Sequence, residues 1–148
     1  MKLRKWQNAY VIEILDGDTF KAELEGREVT IRVAHIDAPE KGQPLYTEAT
    51  SFARALLREQ PIQLRPRQFD RYGRVVAEVK TRYGQDFSEK ILQAGLAWWD
   101  PSKLKDLQYG REAEQAQKRK RGIWALEKPE APWIYRRRME SRHFRKPL

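Results

Sequence analysis

At 148 residues, with 40% hydrophobic and 34% charged side chains and no cysteine, the chain can bury one core but cannot form disulfides, thiolate metal sites or a thiol nucleophile. No apolar run approaches membrane-spanning length, and Met1–Asn8 is too polar for the apolar part of a signal peptide, so no membrane partner is expected. The net charge of +9 is uneven: residues 118–148 hold 11 Lys/Arg against 3 Asp/Glu, a net +8, which suits either a polyanionic partner or a merely solvated surface.

In chain order, Ala9–Ile14 and Phe20–Leu24 read as strands around Asp16-Gly17, a favoured hairpin-turn pair. Glu28–Ile36 reads as a third strand with Val29, Ile31 and Val33 on one face. Ala49, Phe52, Ala53, Leu56 and Leu57 recur at helical spacing, so Leu45–Glu59 is predicted to be an amphipathic helix that Pro61 ends. Ile62–Phe69 and Arg74–Thr81 read as a second hairpin around Tyr72-Gly73. Ser88 is expected to open a short helix that Gly95 closes, and a polar helix is expected around Leu107–Lys118. From Pro129 the chain reads as irregular or weakly helical. Without repeats or a clear linker, residues 1–148 are expected to form a single α+β domain, with a core about 9–124 and a basic C-terminal extension about 125–148.

Three motifs stand out: Asp16-Gly17-Asp18-Thr19, then Arg32 with Asp37-Ala38-Pro39-Glu40, then Asp70-Arg71-Tyr72-Gly73-Arg74. Asp18, Asp37 and Glu40 offer oxygen ligands for a hard cation such as calcium, and Arg32 and Arg74 offer planar forks for a phosphate. Together they form a minimal set for metal-assisted cleavage of a phosphodiester. Taken singly each has a plainer meaning: Asp-Gly marks a hairpin, Glu40 is a solvated loop carboxylate, and both arginines are strand-surface charges. On a regular strand Arg32 and Asp37 would also have opposite parity and lie roughly 16 Å apart, so they meet only if the strand bends or ends between them. Two histidines, His35 and His143, argue against a zinc site and a histidine base.

In these motifs and their order the chain resembles the staphylococcal nuclease-like (thermonuclease) family over roughly residues 9–124. The resemblance implies a five-stranded OB-type Greek-key β-barrel with about three packed α-helices. It implies that Asp18, Asp37 and the backbone carbonyl of Ala38 ligate Ca2+, where relatives often carry threonine at the last position. It further implies that Glu40 is the general base, that Arg32 and Arg74 hold the scissile phosphate, and that Arg71 and Tyr72 contact a neighbouring phosphate. Trp98 and Trp99 match an aromatic-rich segment near the nucleotide base, but Asp100 departs from the family's tyrosine, and buried packing is the expected role of at least one tryptophan. The expected activity is calcium-dependent hydrolysis of DNA and RNA, preferring single strands and leaving 3′-phosphate ends, by a monomer that the resemblance makes secreted or periplasmic. The alternative is a non-catalytic OB-fold module that binds nucleic acid; a protein-interaction domain is a third reading. The presence of Asp18, Arg32, Asp37, Glu40 and Arg74 together favours the enzyme. Because the basic tail carries none of these groups, it is expected to add affinity and salt dependence without affecting turnover.

Overall fold

A computed structural model describes residues 1–100 and 107–144. Strands β1 (Gln7–Ile14), β2 (Thr19–Leu24), β3 (Arg27–Val33), β5 (Pro61–Phe69) and β6 (Val75–Lys80) close into a barrel in the order β1-β2-β3-β6-β5, with β5 returning to pair with β1. All pairs are antiparallel except β3 with β6. Around it lie α1 (Tyr46–Leu57), α2 (Phe87–Gln93), α3 (Leu107–Lys118) and α4 (Pro132–Phe144), with a 3-10 turn at Gly122–Ala125. The two-residue strands β4 (Ile36–Asp37) and β7 (Trp98–Trp99) pair with each other beside the barrel.

The apolar alternation explains the interior. Val11, Phe20, Ala22, Leu24, Ile31, Val33, Leu64 and Val79 point inward and are buried, while α1 packs Ala53 and Leu57, and α2 packs Phe87, Ile91 and Leu92, onto the same core. Each large side chain buried this way contributes roughly 1.5–3 kcal/mol. Phe52 and Leu56, from the helical pattern read in the sequence, pack at its margin.

Three boundaries differ from the sequence reading. The third strand stops at Val33, because His35 adopts φ +74 and reverses the chain before β4 begins. The cap of α2 is Asp86, whose carboxylate accepts from the Glu89 N–H at 3.1 Å. Ser88 lies two residues further on, in the first turn, and donates instead to the Ala34 carbonyl at 2.8 Å, tying α2 to that reversal. The segment read as irregular or weakly helical after Pro129 contains α4, a fourth helix drawn from the basic tail.

Candidate active site

Small residues bring the first two motifs together. Asp16 accepts from the Asp18 N–H at 3.1 Å, closing the turn between β1 and β2. Gly17 in that turn lies so close to Ala38 and Ala49 that a Cβ on it would sit 2.9 Å and 3.0 Å from theirs. The turn is thereby seated against the segment after β4 and against α1. The Ala38 N–H then donates to Asp18 Oδ2 at 2.7 Å, and the Thr19 hydroxyl donates to Oδ1 at 3.0 Å.

Arg32 reaches Asp37 because the strand ends between them. Its Nη1 donates to the carbonyls of Val33 at 2.7 Å and Ile36 at 2.8 Å, bracing the reversal. Its Nη2 lies 3.5 Å from both Asp18 Oδ2 and Asp37 Oδ1, bridging two carboxylates that are almost fully buried. Burial works against the Arg32 charge, but Asp18, Asp37 and Asp16 outweigh it and hold its pKa above the ordinary value. For Asp18, burial is likewise overcome, by Arg32 first and then by its hydrogen bonds, so its pKa falls. Burial dominates at Asp37, whose pKa rises despite two guanidinium neighbours. Burial and then the adjacent Asp18 push Asp16 up to about 7.

The third motif forms the tip of the β5–β6 hairpin. Asp70 accepts from the Tyr72 and Arg74 N–H groups at 2.9 Å each and from Arg74 Nε at 2.6 Å. Arg74 is thus held by one edge, and its Nη groups make no hydrogen bond among the described residues. Arg71 donates to the Tyr72 hydroxyl at 2.7 Å, and both arginines lie over the Tyr72 ring, at 4.9 Å and 5.3 Å.

All three motifs line one cleft of about 930 Å³, Asp16, Asp18, Arg32, Asp37 and Glu40 from the first two and Asp70, Arg71, Tyr72 and Arg74 from the third. Ala38 is buried and meets the cleft through its N–H bond to Asp18. Among the described residues, no three acidic or imidazole side chains cage an ion by themselves. The donor set is still one that suits a hard cation: the buried carboxylates of Asp18 and Asp37, which a backbone carbonyl and water would complete.

The structure bears on two further readings of the sequence, the tryptophan pair and the basic tail. Trp98 and Trp99 do not line the cleft; Trp98 packs edge-on against Trp124 at 4.4 Å and Trp133 at 5.8 Å, in an aromatic cluster beneath α4. The basic tail does not stand apart from the site, since α4 places Trp133 and Arg136 on the cleft wall. Arg136 donates Nη2 to Asp37 Oδ2 at 2.8 Å, Nη1 to Asp37 Oδ1 at 3.1 Å and Nη1 to Glu40 Oε1 at 2.6 Å. Sequence reading missed it by taking Arg136-Arg137-Arg138 as an undivided charge run. The signal that could have found it was Trp133, an aromatic anchor three residues earlier on the same helical face.

The sequence profile described as staphylococcal nuclease homologue matches residues 30–126. An Escherichia coli protein named uncharacterized endonuclease is 33% identical over 128 residues, covering 86% of this chain and 84% of the relative. The micrococcal nuclease of Shigella flexneri is 31% identical, covering 86% of this chain and 79% of the relative. The thermonuclease of Staphylococcus hyicus is 32% identical, covering 80% and 76%. The chain therefore belongs to the staphylococcal nuclease family.

Proposed function

We propose that this protein is a calcium-dependent nuclease that hydrolyses phosphodiester bonds of DNA and RNA. The observation that most supports this is the convergence of three separate sequence motifs on one cleft lined by both carboxylates and guanidinium groups. Relatives named endonuclease, micrococcal nuclease and thermonuclease point to the same chemistry.

In this reading Asp18, Asp37 and the Ala38 carbonyl hold Ca2+, which when bound neutralises charge on the phosphate. Glu40 takes the proton from a water that attacks phosphorus. Arg32 and Arg74 donate hydrogen bonds to the phosphoryl oxygens as negative charge builds there. The bond from phosphorus to the 5′ oxygen breaks, that oxygen gains a proton, and the products carry 3′-phosphate and 5′-hydroxyl ends. Arg71 and Tyr72, at the exposed hairpin tip, hold a neighbouring phosphate of the strand. A cleft with an aromatic ring and cationic walls suits a single strand, whose bases stack without sequence preference.

The test is incubation of single-stranded DNA and RNA with the protein in calcium or in a strong chelator. Cleavage to 3′-phosphate ends is expected in calcium alone. Binding without cleavage would favour the non-catalytic module, and full activity in chelator would remove the metal from the mechanism.

A further inference from the structure

The C-terminal helix is strapped across the loop that carries Glu40. Trp133 packs on Trp98 at 5.8 Å, the Tyr135 hydroxyl donates to the Lys41 carbonyl at 3.3 Å, and Gln43 Nε2 donates to the Glu130 carbonyl at 2.8 Å. Gly42 runs so close under the Tyr135 hydroxyl that any side chain there would collide with it. From this strap Arg136 engages both oxygens of Asp37 and one oxygen of Glu40. Forked, charge-assisted bonds of this kind are the strong ones.

We propose that Arg136 competes with calcium for the Asp37 carboxylate, so that α4 sets how tightly the site takes metal. The inference rests on the calcium reading above. The Asp37 carboxylate is only 2% exposed, and a buried carboxylate needs a cationic partner to stay charged. Arg32 is shared with Asp18 at 3.5 Å and cannot serve Asp37 alone, and Arg136 supplies the missing positive charge from solvent. A divalent ion seeking the same oxygens must displace that guanidinium, so its apparent affinity falls with the fraction of molecules in which Arg136 is docked. The Arg136 side chain is 44% exposed and can swing outward while Trp133 and Tyr135 keep the helix seated.

The test is calcium titration by calorimetry into the 148-residue chain, as wild type, Arg136→Gln and Arg136→Lys, with thermal melts of each in calcium and in chelator. Arg136→Gln is expected to bind calcium about tenfold more tightly or better, on the scale by which ligand charge tunes such sites. Arg136→Lys, with the charge but without the fork, should fall between. Calcium should raise the melting temperature more in Arg136→Gln than in the wild type. Should the glutamine variant not fold, the lysine variant carries the same comparison. Equal, measurable affinities would overturn the competition alone. Weaker calcium binding in the variants would also overturn it, by making Arg136 a support of the site. Absence of calcium binding in every protein, with cleavage persisting in chelator, would overturn the calcium reading and the competition together.

Discussion

Glu40 and Gly17 do opposite kinds of work at the site, one chemical and one steric. Glu40→Gln removes the basic oxygen with almost no change of shape, so fold and nucleotide affinity should survive while the catalytic rate drops by roughly 10²–10⁴. Single-turnover cleavage beside a binding titration separates the two effects, and an unimpaired rate would assign water activation to another group. Gly17 carries no chemistry. A methyl group added to it would have to share space with the Ala38 and Ala49 side chains, at 2.9 Å and 3.0 Å. Gly17→Ala should therefore push the Asp16–Asp18 turn off Ala38, cost about 1–3 kcal/mol in urea unfolding and depress activity, although it touches no substrate. Normal activity with normal stability would show that the turn can shift without disturbing Asp18.

Among the elements, β5 and β6 carry an ion cluster on the barrel whose residues do not line the cleft. Glu78 is buried and receives Arg65 through two bonds of 2.8 Å and Arg67 through another of 2.8 Å, with His35 Nε2 at 3.4 Å. Burial disfavours the charge, but His35 and the two arginines hold the Glu78 pKa far below its usual 4.5. A carboxylate whose folded pKa is depressed stabilises the protein fully above its unfolded pKa, and that contribution is lost progressively as pH falls from there through the folded pKa. Glu78→Gln should cost about 1–2 kcal/mol at neutral pH, a figure reduced by the partial exposure of both arginines. The gap between wild type and variant should then begin to narrow as pH falls below about 5 and keep narrowing down to the depressed folded pKa, so that part of it is still open at about pH 3. Urea unfolding across that range reads the gap, and a constant difference would mean that the charge of Glu78 contributes nothing. The same cluster touches His35, the residue whose positive φ ends β3, so it also steadies the reversal that brings Arg32 to Asp37.

For the whole molecule, charge is divided between a cleft where acidic and basic groups meet and a tail that is overwhelmingly basic. No helix among the described residues is long and apolar enough to cross a membrane. Arg136 belongs to the cleft, but Arg137 and Arg142 are exposed on α4 and do not line it. Replacing both with glutamate should weaken binding of single-stranded DNA and flatten its dependence on salt, by about 0.7 in the log–log slope for each phosphate that is no longer neutralised. Turnover at saturating substrate should be unchanged, because uniform binding energy leaves the chemical barrier as it was. Affinities at several salt concentrations together with saturated rates check this, and an unchanged slope would remove these arginines from the binding surface.

Local patterning was sufficient wherever the deciding interactions are close in sequence. Alternation marked the barrel strands, helical spacing marked α1, and Asp-Gly and Tyr-Gly marked the two turns that carry Asp18 and Arg74. Residue chemistry together with the family resemblance brought Asp18, Arg32, Asp37, Glu40 and Arg74 forward as a set. The sequence could not show how Arg32 meets Asp37, since the answer is a reversal at His35 held by Ser88, Tyr109 and Glu78 from distant elements. Nor could it separate Arg136 from its neighbours in a run of three arginines. An arginine's role depends on what lies within reach of its fork, and the seating of α4, through Trp133 on Trp98, Tyr135 on Lys41 and Gln43 on Glu130, brings Asp37 and Glu40 within that reach. Periodicity assigns side chains to faces of an element; which distant carboxylate a face meets is decided by tertiary packing.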